Sequence, residues 1–137
     1  MNLIKAIKQA YKTKEEKQWP KLFWAIDLHG VCLNSNYANS NYTFINDKVV
    51  EALQLLQQHS ENELIIWSSR HDFEKPSILD FFAKNGINIK YFNTNPLVNN
   101  TITGDFTQKF YFNILLDDKA GFDPDIDWQT IIDFYKQ

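Results

Sequence analysis

The sequence predicts an α/β protein, a three-layer α/β/α sandwich about a mainly parallel, Rossmann-like sheet. Two observations carry this. Short apolar runs rich in β-branched residues alternate along the chain with segments whose apolar residues recur at helical spacing. The runs are apolar nearly throughout, as strands covered on both faces are. At 137 residues and 44% hydrophobic content the chain has the length of one domain and can bury a core.

Leu3, Ile4, Ile7, Ala10 and Tyr11 share one helical face, so residues 2–17 read as an amphipathic helix closed off by Pro20. This N-terminal helix, residues 1–18, precedes an α/β domain at 19–137. Residues 21–28 read as a buried strand. The polar, Asn-rich "HGVCLNSNYANSNYTFIN" reads as a long loop, with Asp47 placed to cap a helix that runs through Val49, Val50, Leu53, Leu55 and Leu56 to about Gln58. "ELIIWSS" is a second strand, and Pro76 opens a helix carrying Ile78, Leu79, Phe81 and Phe82 that Asn85-Gly86 ends. "INIKYF" and "YFNILLDD" are the third and fourth strands, and Trp128, Ile131, Ile132 and Phe134 form a last helix.

Composition narrows the function classes. Net charge is −3, with no Lys/Arg stripe beyond the N-terminal segment, so nucleic-acid binding is not indicated. The single Cys32 excludes an internal disulfide framework and fits a reducing compartment. The N-terminal segment has scattered charges and no signal-like apolar core, and no run reaches the ~18 apolar residues of a spanning helix. A cytoplasmic protein with no membrane partner is expected.

In open parallel sheets, ligands gather beyond the carboxyl ends of the strands. Asp27, Ser68 and the Asp117-Asp118 pair all stand at such ends, with Lys109 shortly before the last strand. Each alone is commonly a turn-capping or surface residue. Together they make an oxygen-rich pocket suited to a hard cation such as Mg²⁺. A carboxylate there is able to attack or position a phosphoryl group, Ser68 to donate to its oxygens, and Lys109 to offset its charge.

"WAIDLHGV", "IIWSSR" and "KFYFNILLDD" resemble, in order, the motifs of the haloacid dehalogenase-like (HAD) superfamily. Those motifs are a strand ending in Asp-x-Asp-Gly, a strand ending in Ser or Thr, a Lys, and a strand ending in an acidic pair. The resemblance covers residues 21 to about 133 and is nearest to small capless phosphatase-like members. It implies that Asp27 is the nucleophile forming an aspartyl-phosphate and also a Mg²⁺ ligand. The His29 backbone carbonyl would be a second ligand. Asp117 or Asp118 would complete the set, the other holding a metal-bound water. Ser68 would hydrogen-bond the phosphoryl group, Lys109 would stabilise the anionic intermediate, and Gly30 would permit the turn after the strand.

His29 stands where the family has its second Asp, the acid-base residue, and an imidazole is able to do that work near neutral pH. Ser69, Arg70 and His71 follow Ser68 at the mouth; Ser69 and Arg70 are the candidate substrate contacts, Arg70 and His71 suit its anionic part, and a plain loop role is the alternative. A phosphate-receiver domain would carry its acidic pair after the first strand and its lysine last, the reverse of the order here. No Gly-rich dinucleotide fingerprint follows the first strand. The three histidines are not spaced as a zinc site; His59 reads as a surface residue and Cys32 as a small apolar one.

The windows that hold caps in the superfamily, residues 31–46 and 93–108, have no room for a folded cap. An open site suits a macromolecular substrate, a cap lent by another subunit of a homo-oligomer, or small phosphates. Tyr37 and Tyr42 are placed to stack on a base or sugar. The leading expectation is a Mg²⁺-dependent phosphomonoester hydrolase. The alternatives are a catalytically weakened or inactive HAD-like domain that binds metal or phosphate as an interaction module, and a nucleotide or nucleic-acid-end phosphatase.

Overall fold

β1 (Leu22–Asp27) is the strand against which the others register. In the computed structural model, which describes residues 1–34 and 42–137, β1 pairs in parallel with β2 (Asn62–Trp67) on one side and β4 (Ile114–Leu116) on the other. β3 (Tyr91–Phe92) extends the sheet beyond β2, giving the all-parallel order β3-β2-β1-β4. The helices are α1 (Leu3–Lys17), α2 (Lys48–Gln58), α3 (Lys75–Lys84) and α4 (Asp127–Tyr135). The protein is therefore α/β, a four-stranded parallel sheet flanked by helices, consistent with a Rossmann-like fold.

Strand alternation separates two cores. Leu22, Trp24, Ile26, Leu64, Ile66, Ile114 and Leu116 share one cluster with the buried residues of all four helices. Phe23, Ala25 and Ile65 face the other way, onto Phe110, with Val98, Tyr111, Phe112 and Leu115 packed around them. The topology explains the division. β1-α2-β2-α3-β3 advances in one direction, so right-handed crossovers put both helices on one face; the return from β3 to β4 reverses direction and crosses the opposite face. That return carries no helix or strand between Phe92 and Ile114. Where a sandwich has its second helical layer, irregular chain rich in Asn, with Pro96 and Gly104, covers the sheet.

Element bounds depart from the sequence expectation in instructive places. Only Tyr91–Phe92 of "INIKYF" joins the ladder, although Ile87 and Ile89 are buried. The fourth strand shortens to Ile114–Leu116 because Tyr111 and Phe112 turn aside to cover the second core. Asp47 makes no side-chain cap; Asn46 Oδ1 accepts from the Lys48 N–H at 2.9 Å instead. α1 ends at a left-handed Gln18 (φ 55°), whose N–H returns to the carbonyls of Lys14 and Glu15, before Pro20 is reached.

α1 packs on the domain's own elements. Leu3, Ile7 and Ala10 join the helical core, and Tyr11 stacks on Phe134. The Tyr11 hydroxyl lies 2.8 Å from that of Tyr135 and donates to Glu61 Oε1. Asn62 donates to Tyr135 and to the Leu56 carbonyl while accepting from Trp24 Nε1 at 2.9 Å. Burial of Leu3 and Ile7 alone contributes roughly 3–6 kcal/mol, a large part of a domain's stability of about 5–15 kcal/mol. Deleting residues 1–18 is expected to abolish a cooperative urea transition; an unchanged midpoint with altered sedimentation would make α1 a subunit contact instead.

Candidate functional site

The carboxyl ends of β1 and β4 bring three carboxylates together. Ile26 pairs with Leu116, so the next residues, Asp27 and Asp117, leave adjacent strands side by side, and Asp118 begins a 3-10 turn. One oxygen from each of Asp27, Asp117 and Asp118 lies within 4.8 Å of the others. Asp27 and Asp117 are half-buried and Asp118 is exposed. Burial, then the Asp117 charge and the Asp118 carboxyl, push Asp27 up to about 6, opposed by the Leu28 N–H that donates to its Oδ1 at 2.9 Å. Asp117 Oδ1 also accepts from the Lys119 N–H, so it caps the 3-10 turn as well as facing the site.

The loop after β1 is held closed from several sides. The Leu28 carbonyl accepts from the N–H groups of Val31, Cys32 and Leu33, and Trp128 Nε1 donates to the Val31 carbonyl at 2.8 Å. Gly30 adopts φ +85°, and a Cβ there would stand 2.6 Å from Asp118 Oδ2. A side chain at position 30 would thus displace one of the three acids, a stronger requirement than the turn alone. Cys32 is fully buried, its thiol pushed up by burial and then by the Asp27 charge, which fits a small apolar residue.

His29 is engaged at both ring nitrogens. Its Nδ1 lies 3.1 Å from the Asn34 carbonyl, and Arg70 Nε donates to its Nε2 at 2.9 Å. A carbonyl only accepts and the Arg70 N–H only donates, so the imidazole is neutral with its proton on Nδ1. Burial and the Arg70 charge lower its pKa, with the Asn34 carbonyl acting the other way. Arg70 also pairs with Glu74, Nε to Oε2 at 3.5 Å. Thus the sequence neighbourhood "HG…SSR" encodes a His29–Arg70–Glu74 chain, and the imidazole faces Arg70.

Ser68 lies one residue beyond Trp67, the register partner of Asp27. Its hydroxyl accepts from the Arg70 N–H, and its own backbone is clamped by Asn93, which sequence reasoning missed. Asn93 Oδ1 accepts from the Ser68 N–H at 2.8 Å, Nδ2 donates to the Ser68 carbonyl at 2.6 Å, and Asn93 itself is left-handed at φ 57°. The only prior signal was an Asn just past a strand, where that conformation is tolerated. Asn93→Ala should lose the clamp and strain the backbone, whereas Asn93→Gly loses the clamp alone. Urea unfolding is expected to find the alanine variant less stable than the glycine variant by about 1 kcal/mol.

Beyond Ser68, the remaining candidate residues lie on loops or outside the described residues. Ser69 is exposed on the same loop. Lys109 is exposed on the crossover and lines a cleft with Gly104, Asp105 and Phe106; the charges that act on Asp27 are Asp117 and Asp118. Tyr42 is no free stacking platform: its ring packs on Phe81 and its hydroxyl bonds Ser77. Tyr37 lies outside the described residues. His71 stacks on Phe73, and His59 packs against Tyr135 rather than standing on the open surface. Among the described residues, no helix is long and apolar enough to cross a membrane.

The fold is similar to that of a solved structure, a conserved protein coded by a locus from Bacteroides thetaiotaomicron. Identity is 24%, the alignment covers 85% of this chain and 90% of that one, and the TM-score is 0.64. No family model matches the chain, and no curated protein does.

Proposed function

We propose that this protein is a capless HAD-like phosphomonoester hydrolase that depends on Mg²⁺ and acts through an aspartyl-phosphate. The observation that carries the reading is the convergence of Asp27, Asp117 and Asp118 at the ends of two adjacent parallel strands. In this reading the fold is the superfamily's sandwich with its second helical layer reduced to irregular chain. The donor set fits the cation: all its side-chain ligands are oxygens, and Asp27 carries repulsion that a positive charge would relieve. Asp27, Asp117, Asp118 and the His29 backbone carbonyl would hold Mg²⁺, which would offset the charge of the phosphoryl oxygens.

The Asp27 carboxylate attacks phosphorus, and the ester P–O bond breaks with its electron pair going to the leaving oxygen, which takes a proton from solvent water at the open mouth. Water then attacks the phosphorus, releasing phosphate and restoring the carboxylate. Ser68, fixed by Asn93, donates to a phosphoryl oxygen, Arg70 and Ser69 meet the substrate at the rim, and the resemblance assigns charge stabilisation to Lys109. A screen of phosphate esters with Mg²⁺, with Asp27→Asn as control, tests the reading. Turnover that survives Asp27→Asn, or that needs no divalent cation, overturns it.

The engagement of His29 favours a second reading, a HAD-like domain of weakened catalysis that keeps metal and phosphate binding. With one ring nitrogen facing a carbonyl and the other accepting from Arg70, the imidazole is not poised to give a proton to a leaving group. Mg²⁺-dependent binding of inorganic phosphate without ester turnover would select this reading.

A further inference from the structure

Trp67, Asp27 and Asp117 stand in a row on three neighbouring strands, since Asp27 pairs with Trp67 and Ile26 with Leu116. Partners in a parallel ladder point to the same face, on strands about 4.8 Å apart. Ala25 and Ile65, two residues earlier, belong to the crossover-face cluster, so Asp27 and Trp67 share that face. The Trp67 ring meets Phe110 edge-on with centroids 5.6 Å apart, which fixes it there. Yet Trp67 is 43% exposed, while the core tryptophans Trp24 and Trp128 are 0% exposed. An inner strand therefore presents an indole to solvent beside the Asp27 carboxylate.

We propose that Trp67 is the wall that receives the organic part of the substrate, and that the substrates are phosphomonoesters carrying an aromatic ring. The inference rests on the phosphomonoesterase reading and adds the substrate class to it. Asp117 and Asp118 occupy the β4 side of Asp27, so that side is charged. On the β2 side, Ser68 and the Glu74-paired Arg70 lie beyond the strand end, and Trp67 with Phe110 supplies an aromatic surface beside Asp27. The organic group of a bound ester is directed to the β2 side, and a flat ring gains a stacking contact there that an alkyl group lacks.

Calorimetric titration with phenylphosphonate and methylphosphonate, each with Mg²⁺, reads the preference without requiring turnover. The wild type should bind the phenyl compound about tenfold more tightly, the scale of one aromatic stacking contact. Trp67→Leu should lose the preference while keeping its affinity for methylphosphonate, and Trp67→Phe should keep most of it; melting temperatures of both variants establish that they fold. Equal affinities in the wild type, no binding of either compound, or a preference that survives Trp67→Leu overturns the assignment. A lowered melting temperature in Trp67→Leu with the preference intact would mean that the indole only covers Phe110. If the preference is present but no phosphate ester turns over, the role of Trp67 stands and the hydrolase reading falls.

Discussion

Asp27→Asn is expected to abolish turnover of an aryl phosphate and, in metal-free buffer, to raise the melting temperature near neutral pH. The two outcomes share one cause. Asp27 is half-buried beside Asp117 and Asp118, and burial, followed by the charges of these neighbours, raises its pKa from 3.8 to about 6. The folded protein therefore holds this proton to higher pH than the unfolded chain does. The stability linked to it is complete below 3.8 and is lost as pH rises through about 6. Discounted for the water that screens a half-exposed carboxyl, that loss is about 1–2 kcal/mol.

Asparagine removes the charge while keeping an oxygen for the Leu28 N–H. The stabilising effect of Asp27→Asn should therefore appear near pH 8 and vanish near pH 3.5, followed by thermal melts across that range. Mg²⁺ should then raise the melting temperature of the wild type more than that of Asp27→Asn. An equal shift in both proteins, or destabilisation by the substitution at all pH values, would remove Asp27 from the cation site. In the proposed reading, function and stability are opposed at this residue: the repulsion that costs the fold stability is what a bound cation would relieve.

What the sequence made legible was local and periodic. Apolar runs ending in Asp27, Ser68 and Asp117 located the ends of β1, β2 and β4, because a strand buried on both faces leaves little room for polar residues until it stops. The site's support was not legible, because it depends on residues distant in the chain. Asn93 clamps Ser68 from 25 positions away, and Trp128 reaches the Val31 carbonyl from 97 positions away. Neither is separable in sequence from an ordinary turn Asn or core Trp. The second helical layer failed for a different reason. Alternating elements imply crossovers, and the rule of hand sets the face each covers, but nothing in that rule requires the returning segment to be helical. Asn46, in place of Asp47, shows the same limit on a small scale: either side chain suits a helix start, and the local backbone chooses.

His29→Asp is expected to raise kcat by about 10²-fold, the low end of what a well-placed acid-base group contributes. By the resemblance alone, His29→Ala should slow the enzyme, since the imidazole would be doing that work. The geometry revises the second expectation. Nδ1 faces the Asn34 carbonyl and Nε2 accepts from Arg70, and burial with the Arg70 charge lowers the pKa, so the neutral ring is favoured and neither nitrogen is directed at a leaving oxygen. His29→Ala should then leave kcat within a few-fold of wild type and act mainly on KM, because Arg70 loses the acceptor that orients its Nε while keeping Glu74. The kcat–pH profile separates the cases. An ionising His29 that shuttles protons would place a limb in the wild-type profile that the alanine variant lacks, with a fall in kcat of about 10² or more. Coincident profiles for wild type and His29→Ala, with faster turnover in His29→Asp, would identify an enzyme whose metal and nucleophile positions are complete and whose proton-transfer residue has been given over to holding Arg70.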